Sequence, residues 1–229
     1  MVVFVGFVIF MASQKPSKPA TDYSKYELSV IQNLAKQPSY DSVDRNQIIP
    51  ASEDSGGIEE NVKGSPETAD VIIYEYADYQ CSHCAVKNTE INKILADNPG
   101  KVALVFRTYI LPYHEQSVVA SSAAEAAALQ GYWAEFKDLL FGNQAEWANL
   151  ETDERIKQME EYFQTASGEK GDLEKFRTDM KSEAVAKKLA YDMGLGNSIP
   201  LEGTPTFYID GEFVSVSDLQ NTIKEKLSQ

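Results

Sequence analysis

Cys81 and Cys84 are the only cysteines among 229 residues, and both stand in the tetrad Cys81-Ser82-His83-Cys84. Thiols spaced this way react with each other, with a partner's sulfur or with a metal. The run Val71-Ile72-Ile73-Tyr74-Glu75-Tyr76 before them reads as a buried strand, and the segment after them as a helix. Cys81 therefore falls in the first turn of a helix, where unpaired N–H groups and the positive end of the macrodipole favour a thiolate. Thiols so placed titrate about one to five units below the usual ~8.5. Positions i and i+3 share a helix face, so Cys84 can approach Cys81 and resolve a mixed disulfide. Cys84 shares its face with Ile91 and Leu95 and is expected to be buried and less reactive. His83, as a cation or a donor, would add to thiolate stability. Each unit by which the thiol is lowered stabilises the reduced pair by up to about 1.4 kcal/mol, or about 30 mV toward the oxidising side.

Glu75 is a charge inside a strand that is apolar on both sides. It is either a strand-end surface residue or a semi-buried carboxylate beneath the dithiol, with a raised pKa, able to exchange a proton with Cys84. Thr204-Pro205 opens a later strand, a position where proline is ordinary and its peptide bond usually trans. His114, after Pro112-Tyr113, reads as a capping or packing residue. A metal site is the competing use of Cys81, His83, Cys84 and His114, but a single C-x-x-C lacks the usual second half, and no metal is expected.

These residues need a frame. Val71–Tyr76, Val102–Tyr109, Thr206–Ile209 and Glu212–Val216 read as strands, the last two joined by the hairpin signal Asp210-Gly211. A helix follows Cys81 and stops at Asn98-Pro99-Gly100. A mostly helical block covers about 115–193, with Tyr132, Trp133, Phe136 and Trp147 as its core. Ser217 opens a last helix, with Gln220 completing a capping box. The expectation is an α/β sheet domain over 70–229 with an inserted helical domain.

Residues 2–12 are continuously apolar and span roughly 17 Å as a helix, short of the ~30 Å hydrocarbon core. They read as a signal-anchor, the alternatives being a cleaved signal and a hydrophobic cap on a cytosolic protein, and export is the expectation. Residues 13–69 read as a flexible stalk, within which Tyr26, Leu28, Val30, Ile31 and Leu34 could form a short amphipathic helix. A formal net charge of −14 argues against nucleic acid or anionic lipid as the main partner.

The segments Glu75-Tyr76-Ala77-Asp78-Tyr79-Gln80-Cys81-Ser82-His83-Cys84 and Gly203-Thr204-Pro205-Thr206-Phe207-Tyr208-Ile209-Asp210-Gly211 together resemble the DsbA-type branch of the thioredoxin superfamily, membrane-tethered or exported in bacteria. The resemblance covers roughly residues 63–229. It implies a thioredoxin fold, Cys81 as the attacked sulfur, Cys84 as the resolving one, a cis Pro205 facing them, and Thr204 offering backbone to an extended client. Glu75 matches the buried acid of such proteins. Ser82 stands where many relatives carry proline, and Thr before the cis-proline is shared with isomerase-like branches.

The implied activity is an extracytoplasmic thiol:disulfide oxidoreductase, chiefly an oxidase of exported proteins with free cysteines. It would need no cofactor beyond its own disulfide, would act as a monomer tethered to the membrane, and would be reoxidised by a quinone-linked membrane protein of DsbB or VKOR type. The alternatives are a reductase or isomerase on the same fold, and a metal-binding or redox-inert client-binding protein.

Overall fold

The computed structural model describes residues 27–36 and 47–229; residues 2–12, expected as anchor or signal, lie outside them. Helix α1 (Leu28–Leu34) is followed by strands β1 (Asn61–Lys63) and β2 (Val71–Ala77), helix α2 (Ser82–Asp97) and strand β3 (Val102–Thr108). Six helices form the expected insertion: α3 (Ser117–Ala128), α4 (Trp133–Gly142), α5 (Gln144–Trp147), α6 (Thr152–Ser167), α7 (Leu173–Asp179) and α8 (Glu183–Asn197). Strands β4 (Thr206–Ile209) and β5 (Glu212–Val214) and helix α9 (Leu219–Lys226) complete the chain.

The sheet order is β1-β3-β2-β4-β5, with β2 and β3 parallel and the other pairs antiparallel. Parallel neighbours require a crossover, and α2 supplies it. The β4–β5 turn uses Asp210 at φ 49° and Gly211 at φ 83°, the two positive values that a two-residue hairpin matching strand twist demands. Glu75 in β2 lies in register with Phe106 of β3 and Phe207 of β4, so its neighbours on that face are aromatic.

One core joins that face of the sheet (Ile73, Leu104, Phe106, Phe207) to Cys84, Ile91 and Ile94 of α2 and to the insertion's Phe136, Leu140 and Phe163. Ala120, Ala123, Ala124 and Ala127 of α3 are all fully buried. Their small side chains let the helix approach closely, and enlarging one would cost about 1–3 kcal/mol in overpacking.

Two parts of the expected stalk, residues 27–36 and 47–69, are built into the domain. Strand β1 is an edge of the sheet, and Ile31 and Ala35 pack with Val185, Leu189 and Met193 of α8. A buried ion pair explains the boundary: Arg107 Nε donates to Glu60 Oε1 at 2.5 Å, Nη1 to Tyr76 Oη at 2.9 Å and Nη2 to the Gln47 carbonyl at 3.0 Å. A guanidinium inside a sheet must be fully partnered, and two of its partners come from the segment before residue 63. Gly56, within the expected stalk, sits against α8 so closely that a Cβ there would lie 2.3 Å from the Ala184 carbonyl oxygen. The last helix also starts differently. Its cap is Asp218, whose N–H is taken by the Ser215 hydroxyl, so no Ser217–Gln220 capping box forms.

Candidate active site

Cys81 is the N-cap of α2, with an extended backbone (φ −75°, ψ 120°). Its N–H donates to the Asp78 carbonyl at 3.0 Å, and its carbonyl accepts from Ala85 at 3.2 Å, the first rung of the helix. Both cysteines are free thiols, Cys81 6% exposed and Cys84 fully buried. The Cys84 thiol, donating to Cys81, does most to lower Cys81 to about 4; burial opposes it, and Thr204 and the N–H groups of Cys84 and His83 assist. Burial, then the neighbouring Cys81 sulfur, pushes Cys84 far above the ordinary thiol range. One sulfur is thus held as an anion and the other as a proton donor, the division that thiol exchange requires.

His83 contributes to this through its backbone N–H, while its side chain is exposed. The sequence points to the imidazole for that effect, because side-chain type is visible in a sequence and helix-amide direction is not.

Thr204 and Pro205 are brought against the dithiol, and the Thr204–Pro205 bond is cis. As a neutral thiol, Cys81 donates to the Thr204 carbonyl at 3.2 Å. A thiolate has nothing to donate to that carbonyl; the Thr204 side chain helps lower Cys81, and its hydroxyl is buried without a hydrogen-bond partner.

Glu75 is 2% exposed, and burial raises its carboxyl to about 7 against the opposing charge of Lys137. Its Oε1 has no hydrogen-bond partner, and its charge acts on Cys84. The surface reading of Glu75 is excluded by this burial. Lys137 of α4 is itself enclosed: it donates to Asn88 of α2, lies 3.2 Å from Asp138 and faces the Trp133 and Phe141 rings at 5.7 and 5.9 Å. Burial lowers its pKa, the larger effect, while Asp138 and Glu75 support its charge.

Three further residues of the site were missed in the sequence. Asp78 accepts from Gln80 and Leu111 N–H groups, both at 2.8 Å, and its Oδ2 lies 2.9 Å from His114 Nδ1. His114 thus braces the loop before Cys81. Gln80 bonds Gln116 at 3.0 Å and the Ser117 N–H at 3.1 Å. Gln144 of α5 donates to the carbonyls of Tyr79 and Cys81. Each partner lies at least 33 positions away except Gln80 with Asp78, so no local signal marks them.

Beside the dithiol runs a groove of about 700 Å³, lined by His83, Pro200, Glu202, Pro205, Phe213 and Val216 among others. Phe213 is 63% exposed, a large apolar side chain left uncovered at the rim.

A thioredoxin-like sheet carries an activated dithiol at a helix start, opposite a cis-proline loop, which is the arrangement of a thioredoxin-like oxidoreductase. Residues 58–227 match a family described as thioredoxin, and the chain belongs to it. A thioredoxin-like oxidoreductase from Silicibacter pomeroyi superposes with a TM-score of 0.57 at 25% identity, over 74% of this chain and 93% of that one. Oxidised BdbD from Bacillus subtilis shares the fold at a TM-score of 0.62 and 20% identity, over 81% of this chain and all of its own. Among curated sequences, the Na(+)/H(+) antiporter NhaA 3 of Salinispora tropica is 31% identical over 153 residues. That match spans 66% of this chain but only 22% of the antiporter's length.

Proposed function

We propose that the protein is an extracytoplasmic disulfide oxidase. A client thiolate attacks Sγ of Cys81 in the Cys81–Cys84 disulfide. The S–S bond breaks, Cys84 leaves with the electron pair, and Glu75 returns a proton to it. The client's second thiolate then attacks the client sulfur of the mixed disulfide, and Cys81 departs as a thiolate. Two electrons pass from client to enzyme, and the client keeps the disulfide.

The observation that carries this reading is the opposed ionisation of the two sulfurs, Cys81 near 4 and Cys84 far above the ordinary range. A stable Cys81 thiolate is a good leaving group and lowers the free energy of the reduced state, which favours acceptance of electrons. Clients would be exported proteins with free cysteines, docking extended in the groove beside Pro205. Reoxidation would fall to a quinone-linked membrane protein of DsbB or VKOR type. Among the described residues no helix is long and apolar enough to cross a membrane; tethering would rest on residues 2–12.

The test is the glutathione equilibrium of the purified protein, read with thiolate absorbance across pH. An oxidase gives a strongly oxidising equilibrium and a Cys81 midpoint well below 7. An equilibrium near thioredoxin's would instead assign a reductase, and a Cys81 midpoint at or above 8 would remove the mechanism.

A further inference from the structure

We propose that Gln144 is a positioning residue for the dithiol, its side-chain amide holding the carbonyls on either side of Gln80 so that the first turn of α2 is aimed at Cys81. Gln144 stands at the start of α5, in the helical insertion, 63 residues beyond Cys81. Its Nε2 has two hydrogens, and each finds a carbonyl: Tyr79 O at 2.7 Å and Cys81 O at 3.0 Å. The Cys81 carbonyl thus takes two donors, Gln144 and the Ala85 N–H at 3.2 Å.

The loop has other ties: the Asp78 carbonyl accepts from the Cys81 N–H at 3.0 Å, and Asp78 Oδ1 accepts from the Gln80 N–H at 2.8 Å. Tyr79 Oη accepts from Trp133 Nε1 at 3.1 Å, and its ring meets Phe106 and Phe141 at 5.3 and 5.1 Å between centroids. Gln80 is held by Gln116 and Ser117. The rotation of the peptide planes at Tyr79 and Cys81 is set jointly: by the Gln80 N–H bond to Asp78 for the Tyr79 peptide, by the Ala85 N–H bond for the Cys81 peptide, and by Gln144 for both carbonyls. That rotation matters because the Cys81 peptide joins the sulfur-bearing residue to the helix whose N–H groups face the sulfur. A carbonyl carries partial negative charge, so turning it toward the sulfur would oppose a thiolate. Gln144 keeps both oxygens engaged elsewhere and places partial positive charge between them.

This inference rests on the thiolate mechanism, and its test separates the two. Reduced full-length protein is titrated by thiolate absorbance and equilibrated with glutathione, as wild type, Gln144→Leu and Gln144→Glu. Leucine removes the donors at similar size; glutamate sets acceptor oxygens against two carbonyls. For the leucine variant the thiolate-to-thiol ratio at pH 4 falls roughly three- to tenfold, and the glutathione equilibrium shifts by the same factor toward the less oxidising side. The glutamate variant shifts at least as far. Gln144→Asn, which keeps the amide but shortens its reach, covers any failure to fold and moves the same way. A midpoint and equilibrium within about twofold of wild type in these variants overturns the proposal, and a lowered melting temperature alone would make Gln144 a packing residue. A wild-type midpoint at or above 8 sinks the oxidase reading instead.

Discussion

Cys81 and Thr204, 123 positions apart, meet across the mouth of the dithiol with Sγ 3.2 Å from the carbonyl oxygen. The contact serves only the neutral thiol; the Thr204 side chain also lowers Cys81, and its buried hydroxyl has no hydrogen-bond partner. Thr204→Val keeps the carbonyl and loses the hydroxyl. The Cys81 midpoint is expected to rise by about one unit, and the disulfide to become about 30 mV less oxidising. Thiolate absorbance against pH checks it, and an unmoved midpoint would remove the hydroxyl from the mechanism.

Glu75 makes stability depend on pH in a defined direction. Folding raises its carboxyl from the ordinary range to about 7, so between ~4.5 and ~7 the native state holds a proton that the unfolded chain has released. Stability therefore falls as pH rises through that window, by about 3 kcal/mol in total. Glu75→Gln removes this slope: the variant should melt higher than wild type at pH 8 and alike at pH 4. Its thiol exchange at neutral pH should be slower by about tenfold or more, since Cys84 loses the group that returns its proton. Parallel melting curves at both pH values would place the charge elsewhere.

Lys137 is the charge that counters the rise of Glu75. Lys137→Met keeps the stem's bulk against Trp133 and Phe141 and removes the ammonium. Glu75 should then titrate higher, moving the Glu75-dependent limb of the exchange-rate profile upward in pH. Stopped-flow exchange across pH 5 to 9 reads this shift, and a limb that stays in place would separate Lys137 from the proton path.

Cys81 is lowered to about 4 in the reduced form, and the oxidised form has no thiol to titrate. The reduced protein binds fewer protons at that site than its unfolded counterpart between pH ~4 and ~9, so its stability advantage over the oxidised protein is lost as pH falls through 4. Denaturant midpoints of both forms at pH 7 and pH 3.5 test this. A gap that does not narrow in acid would contradict a native thiolate.

Phe213 stands exposed at the rim of the groove, touching Tyr208 edge-on at 6.1 Å. Phe213→Ser should leave stability within about 0.5 kcal/mol while slowing exchange with cysteine peptides about fivefold or more through lost apolar contact. Exchange with glutathione, too small to fill the groove, should stay unchanged. Equal slowing of both would mean the change reaches the dithiol itself.

Much of the molecule is local and was legible in the chain. The C-x-x-C after an apolar strand, the Asp210-Gly211 turn, the order of strands around a helical block, and the resemblance carried by two short motifs all lie in contiguous residues. Periodicity and turn chemistry act over a few positions, so they survive being read in one dimension. The burial of Cys84 followed from its helix face with Ile91.

Tertiary structure decided the polar half of the site. Whether Glu75 was a surface charge or a buried acid depended on its place in the sheet, between Phe106 and Phe207 of the neighbouring strands. Lys137, Gln144 and the Asp78–His114 pair became part of the site because the insertion folds back onto the loop before α2. The same holds for β1 and α1, drawn into the domain by Arg107 and by the apolar face of α8. A buried polar group costs free energy until a partner satisfies it, and these partners arrive from distant parts of the chain, a pairing that composition and spacing do not encode.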